Sequence, residues 1–509
     1  MKEGLMKKAF LCVLWIFVLM VGCQKKTDMP EEDIIARVGN RVISKNEFIR
    51  RSEYTLRPPY CKKGDLIIHK KIILNSLIAE KLMALEGGGN NRLMQNKIFQ
   101  AYIQGRREQA MRKMLYNQQA IQKVKLSKKA LSDMFRAVGR KYHIQYFNLP
   151  DSAEAARARH IITANPDRFV SVFEKYYGRS EVSERDVAWS DYETPQVETA
   201  LFTRPLENGS IIGPLKIEDG QYLFMRVDGW TEKRVFADDD VKNRWHRVRE
   251  RLTLHKAAAI WNQYIGKVMK GKRLEFREGP FFQLAEIFAD VYHLKENEKQ
   301  GMFIDRFWSR SREYQDMQKI EDALREASGL QNAPLFTLDG QLFTVQDFRT
   351  MLASHPLVFR KRRFSREEFP KQFKLAVADM IADQYLNREA YEKGLDQHPW
   401  VRRTEMMWKD ALNGMFHRNA YLDSIGKKEA FIENYPPVIR NDLNPYVRSL
   451  QQKYSDQIEI NADLLKQIRL TRIDMFAIQK WEPYPIIVPQ FPVVTDEHRL
   501  DYGKDIKSD

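Results

Sequence analysis

The chain has 509 residues, 43% of them hydrophobic and 30% charged, with 24 Gly and 20 Pro, values of folded globular protein and not of a disordered or collagen-like chain. A chain of this length accommodates about three domains, each able to bury a core. The net charge of +16 favours anionic partners and three Cys exclude a disulfide scaffold, while a mean hydropathy of −0.55 with one long apolar run excludes a polytopic membrane protein.

The apolar run comes first. Lys7 and Lys8 precede thirteen uninterrupted apolar residues, Ala9 to Val21, too few to span a bilayer comfortably and suited to a signal h-region. The run ends Met20-Val21-Gly22-Cys23 before polar Gln24-Lys25-Lys26-Thr27-Asp28. This resembles a bacterial lipobox, which implies cleavage after residue 22 and acylation of Cys23. An uncleaved signal anchor is the alternative. Residues 1–22 are thus expected to be a lipoprotein signal peptide, and Cys23 a lipid anchor to the membrane. The expected place is the bacterial cell envelope, facing the periplasm. Gln24 stands where Asp signals inner-membrane retention in some bacteria, which points to the outer membrane. Cys12 leaves with the signal, so only Cys61 remains and no intrachain disulfide is expected. At that address nucleic acid is not an expected partner. The basic cluster Arg360-Lys361-Arg362-Arg363, with Arg366, reads as a solvated turn, with lipid headgroups or acidic chains as its functional alternatives.

Residues 34–43 predict a hairpin around Gly39-Asn40. Ser44-Lys45-Asn46-Glu47 has the form of a capping box, opening a helix with Phe48 and Ile49 inward. Ile72, Ile73, Leu77, Ile78, Leu82 and Leu85 mark a helix over about 69–86, ended by Gly87-Gly88-Gly89-Asn90. More helix is expected from about 92 to 138. The pattern changes at His143: a strand over 143–149, helices over 152–163 and 167–177, and short strands near 187–189, 212–216 and 221–227. Helix returns over about 238–270, then a short strand over 273–276.

The sequence then repeats. Val38 to Phe48 parallels Leu338 to Phe348 at an offset of 300, apolar against apolar and turn against turn; Leu77-Ile78-Ala79-Glu80-Lys81-Leu82 parallels Met380-Ile381-Ala382-Asp383-Gln384-Tyr385 at 303. Tyr264-Ile265 to Phe276 resembles Tyr446-Val447 to Ile460. Three parallels in one order predict a duplicated module.

The run Ala36 to Phe48, followed by Leu77 to Leu82, is similar to the N-terminal chaperone module of SurA- and PrsA-type extracytoplasmic foldases. In that family the helical module is interrupted by a parvulin-type peptidyl-prolyl isomerase domain. Residues 141–232 resemble such an insert: Ala153-Glu154-Ala155-Ala156 after the first strand, Trp189, Leu206 to Pro214 with its Gly209 and Gly213-Pro214, and Gly220-Gln221-Tyr222-Leu223 before the last strand. The fold class implied is α+β, with two tandem, mainly helical modules and an inserted α/β parvulin-like domain. The division is 1–22 signal peptide, 23–140 first module, 141–232 parvulin-like domain, 233–290 closing part of the first module, 291–332 linker, 333–467 second module and 468–509 Pro-rich tail. The prolines of the tail demand extended chain; whether it packs or hangs loose is left open.

The resemblance also implies chemistry. Rotating an X-Pro bond means crossing about 18–20 kcal/mol, which an isomerase lowers by binding the twisted imide best. Active parvulins use two His on neighbouring strands, a Cys or Asp beside them, and a Met/Phe wall. Here His143 is the candidate for the first His and Tyr222 occupies the place of the second. Arg179-Ser180 stands at the Cys/Asp position, Val197 replaces the pocket Phe, and the family's glycine-rich turn reads Glu184 to Trp189. The domain is therefore expected to be degenerate. His246 and His255 lie nine apart, not four, so no metal is expected, and no phosphate loop implies a cofactor. Unfolded polypeptides are the expected partners and a folding chaperone the expected function. An active isomerase and a structural subunit of an envelope secretion or assembly machine are the alternatives; the oligomeric state is left open.

Overall fold

The computed structural model describes residues 33–61, 66–189, 193–217, 220–232, 237–292, 328–361, 364–471, 477–479 and 481–506. Cys23 and the predicted signal peptide lie outside the described residues, as does most of the predicted linker. The fold is α+β, with three small sheets set among helices.

The first hairpin, β1 (Ile34–Val38) and β2 (Arg41–Ser44), turns at Gly39, whose φ is +58°. Ser44 caps α1 (Lys45–Glu53), its hydroxyl accepting from the Glu47 amide at 3.1 Å. The Glu47 carboxylate turns inward, buried 3.4 Å from Lys81 Nζ. Then come α2 (Ile67–Glu86), α3 (Lys97–Gln119) and α4 (Lys128–Ala137).

The α/β unit follows: β3 (Arg140–Leu149), α5 (Ser152–Ala164), α6 (Phe169–Tyr177), β4 (Ser183–Ala188), α7 (Pro195–Phe202), β5 (Ile211–Lys216) and β6 (Tyr222–Glu232). Its strands lie antiparallel in the order β4-β3-β6-β5. Helix α8 (Asp238–Val268) then runs 31 residues, roughly 46 Å at 1.5 Å per residue. Val248 and Leu252 near its start join the core of the α/β unit, while Trp261, Tyr264 and Ile265 near its end pack on the helical body. One rod thus fixes the unit to the body.

Next come β7 (Leu274–Phe276), α9 (Glu278–Tyr292), the second hairpin of β8 (Pro334–Leu338) and β9 (Gln341–Thr344), then α10 (Val345–Ser354), α11 (Phe369–Glu392) and α12 (Pro399–Ser424). Asp339 and Gly340 both take positive φ in the hairpin turn, and Thr344 and Asp347 close a full capping box. Shorter helices lead to β10 (Ile458–Ile460), and β11 (Lys504–Asp505) follows near the end of the described chain.

The hairpins are completed crosswise. Strand β10 pairs with β1, Ala36 opposite Ile460, whereas β7 pairs with β8, Phe276 opposite Phe336. The expectation that 233–290 closes the first module is corrected here: its strand closes the second hairpin. The reason is local. Strand β7 feeds straight into α9, whose Phe281, Leu284 and Phe288 are buried with Phe336, Phe348 and Phe373. Ile35, Val38 and Ile43 pack instead with Val447, Ile458 and Ile460. Helix α12 lies along both α2 and α3, and α11 packs on α3 as well. At one crossing an added Cβ on Gly414 would sit 2.7 Å from the Glu80 carbonyl oxygen, so only glycine lets the two backbones approach this closely.

Helices α7 and α9 were not among the predicted elements. Of the basic cluster, the described side chains are paired: Arg360 donates to Asp379 through two nitrogens at 2.6 and 2.8 Å, Lys361 meets Glu368 at 2.7 Å and Arg366 meets Asp290 at 2.6 Å.

Candidate functional site

Residues paired across an antiparallel ladder share a face. His143 stands opposite Asp186 on β4 and Gly229 on β6, and Leu149 stands opposite Tyr222. His143 and Tyr222 therefore lie on the same face, but six positions apart along β3, roughly 20 Å at 3.3 Å per residue. Helices α5 and α6 cover the Tyr222 end, where Phe147, Leu149 and Phe224 are buried. The His143 end is open and wholly polar. Imidazole Nδ1 lies 3.0 Å from Asp186 Oδ1, and Nε2 lies 3.5 Å from Glu184 Oε2. Lys141 binds the other Asp186 oxygen at 2.7 Å, and Gln145 donates to Glu184 at 2.6 Å.

The electrostatics follow from these contacts. The hydrogen bond to Asp186 raises the imidazole above its ordinary 6.5, with Glu184 adding to it. Lys141, and then His143, hold the Asp186 carboxyl below its usual range. An imidazole tied to two carboxylates is not free to turn toward a twisted imide. Among the described residues the neighbouring positions on that face are Lys141, Gln145 and Arg226, not an apolar wall that would grip a proline ring. Val197, expected at the pocket wall, lies in α7 and is buried in the core on the other face with Leu201 and Phe202. Trp189 is spent on the joint with α8: its indole donates to Glu198 at 3.0 Å, and Arg251 binds the same carboxylate at 2.6 Å. Between this joint and α8 opens a cleft of about 840 Å³. Its walls alternate in charge, Arg140, Arg244 and Arg247 against Glu232, Asp240 and Glu250. Such a surface suits polar chains more than a small apolar ligand. Among the described residues no three His, Cys, Asp or Glu gather as a metal site.

The helical body holds a second site. Residues 481–484 form a turn, Trp481 taking φ +65°, and 485–497 run on through a groove between α1, α2, α3 and α12 without strand ladders, one isolated bridge joining Ile486 to Ile478. Side chains of the body receive its backbone. Gln109 both donates to the Tyr484 carbonyl and accepts from the Tyr484 amide, each at 3.0 Å, as a neighbouring strand would. Arg106 donates to the Ile486 carbonyl at 2.8 Å, Arg51 to that of Gln490 at 2.7 Å and Asn75 to that of Glu497 at 2.8 Å. The Tyr484 ring is buried edge-on to Tyr102, and its hydroxyl donates to the Ser354 carbonyl at 2.9 Å. An added Cβ on Gly105 would sit 2.3 Å from that hydroxyl oxygen, so this glycine makes room for the ring.

No family model matches the chain, and no curated protein matches it.

Beneath the groove lies a buried ionic cluster. Arg51 grips Glu80 through two bonds of 3.0 and 2.8 Å while reaching the Gln490 carbonyl. Lys81 Nζ sits 3.4 Å from Glu47 and 3.3 Å from Asp410, which Arg41 binds at 3.0 Å. Burial raises the Glu47 carboxyl although Lys81 and Arg51 oppose it. None of Arg51, Gln109 or Asp410 is picked out by the sequence pattern. The available signal was charge at helix positions in phase with apolar ones: Lys81 sits between Ile78 and Leu82 and is buried with them.

Proposed function

We propose that the chain is a lipid-anchored, extracytoplasmic folding factor of the SurA/PrsA type that binds unfolded polypeptide, with an α/β unit that is a non-catalytic relative of parvulins. Cys23 is its anchor, the periplasmic side of the envelope its place, and unfolded envelope or secreted proteins its clients. One observation supports this above others: a helical body receives the segment from Tyr484 to Glu497, which joins no strand ladder, through side chains directed at its carbonyls. Recognition of backbone does not depend on sequence, which is what a binder of many unfolded chains requires. An α/β unit set within a body of hairpin–helix units supports it as well, although the resemblance implies tandem modules and the two hairpins are closed crosswise.

The isomerase reading draws less support, because His143 is held between two carboxylates and stands far from Tyr222. The test has two arms. The full chain should delay aggregation of an unfolded acidic client, more weakly as salt rises. It should leave proline isomerisation near its uncatalysed tens to hundreds of seconds. Acceleration that is lost in His143→Ala would establish the enzyme instead. No effect on aggregation would favour a purely structural subunit. Cys23→Ser should abolish fatty-acid incorporation, and a variant still labelled would end the lipoprotein reading.

A further inference from the structure

The segment 481–497 is held in an unusual way for a part of a core. It carries Pro at 483, 485, 489 and 492, which removes four amide donors and prevents it from joining a sheet as an inner strand. What fixes it is a row of side chains that reach its carbonyls, together with its own buried side chains, Tyr484 and Val488 in one core and Phe491, Val493 and Val494 in another. Pockets for side chains and bonds to the backbone are terms on which proteins recognise proline-rich peptides. The fit also leaves space, since a cavity of about 40 Å³ persists beneath residues 486–494 against Trp408, Leu412 and Met415. That is room for about a water molecule or a larger side chain.

We propose that this groove is a binding site for extended, proline-containing apolar polypeptide, and that residues 481–497 are its resident intramolecular ligand. The proposal rests on the folding-factor reading for the identity of the outside ligand, an unfolded chain displaying aromatic and aliphatic residues between prolines. The resident segment competes at the high effective concentration of a tether. An outside chain therefore enters by exchange, and the groove is never left as an exposed apolar surface.

The experiment uses the full chain and a fluorescent peptide of residues 482–497. The unmodified chain should bind the peptide weakly. Tyr484→Ala, which empties the aromatic pocket from within, should bind it at least tenfold more tightly, and Gln109→Ala added to that variant should reverse the gain. Equal binding by the unmodified chain and Tyr484→Ala, or no binding by either, would overturn the proposal. In case Tyr484→Ala does not fold, a second form carries a protease site inserted after Thr471 and is cut once folded. The severed segment should then exchange with the labelled peptide. A segment that stays in place, or a chain that unfolds when the segment dissociates, would make it a structural member and refute exchange. Aggregation assays on the unmodified chain separate the two ideas. Delayed aggregation without peptide exchange removes the groove proposal alone. Exchange without any effect on clients supports the groove and removes the folding-factor reading.

Discussion

Glu80 on α2 and Asp383 on α11 occupy equivalent places in the two halves of the duplicated body, and each is gripped by a basic side chain from the preceding helix region. In the first half the partner is Arg51, bonded through two nitrogens and fully buried. In the second it is His355, whose Nε2 lies 2.8 Å from Asp383, with Arg112 of α3 at 3.2 Å from the same oxygen. Similar backbones thus carry different electrostatics. The first half is tied by a buried, two-bond ion pair whose guanidinium also reaches the Gln490 carbonyl. The second half uses an imidazole and borrows a cation from across the crossing. The first half is accordingly expected to be the rigid one and the second the one that responds to acid.

The largest test of this contrast is Lys81→Met, which keeps the volume but leaves Glu47 and Asp410 buried without their shared cation. It should destabilise the fold by about 3–5 kcal/mol, read from the midpoint of denaturant unfolding. The equivalent change in the second half, Gln384→Met, should be nearly silent.

Gly414→Ala comes next. Its Cβ would press on the Glu80 carbonyl, and the strain of overpacking should cost about 1–3 kcal/mol. Gly426→Ala would meet nothing within 4 Å but requires φ near +65°, so it separates crowding from backbone strain.

The acid response concerns Asp383. Burial alone would raise its carboxyl, but Arg112 and His355 together hold it below the ordinary 3.8. Because the folded value is depressed, its contribution is present above the unfolded value and is lost as pH falls through the folded one. Asp383→Asn should therefore flatten the stability curve below about pH 4, as measured by thermal unfolding across acid buffers.

The smallest effect lies on the exposed sheet. His143 should titrate above 6.5, and Asp186→Asn should bring it down toward that value, as read by NMR of the imidazole. Its raised value adds stability that is present below about 6.5 and fades as pH rises through the folded value. Overall stability should move by no more than about 0.5 kcal/mol, as for other surface groups.

Local chemistry made much of the fold legible. Gly39-Asn40 and Asp339-Gly340 mark both hairpins, Ser44 and Thr344 mark both helix starts, and the apolar spacing from Ile72 to Leu85 marks α2. Helix α7 was missed although Thr194 and Pro195 are ordinary starting signals; its eight residues offer too few apolar positions to show a period. What closes each hairpin was not legible, because a three-residue strand such as Leu274–Phe276 fits either partner equally well. Its choice is made by the phenylalanines of α9. The distance between the remnant candidates His143 and Tyr222 was not legible for a similar reason: it depends on the register between β3 and β6, which no local pattern encodes. The groove was hidden because its working atoms are polar side chains on helices, which sequence alone reads as solvent-facing.

The crosswise closure also sets an order of assembly. Arg37 and Glu459 bond across the first sheet although 422 residues separate them, whereas β7 and β8 meet across a far shorter stretch. A chain emerging from its N-terminus can complete the inner half while the first hairpin still waits for its third strand. Contacts this distant in sequence form slowly. Until β10 arrives, β1 presents an unpaired edge, a template for pairing with other chains. A nascent or clipped molecule that lacks residues 458–460 would thus offer that edge to whatever chain comes next to it.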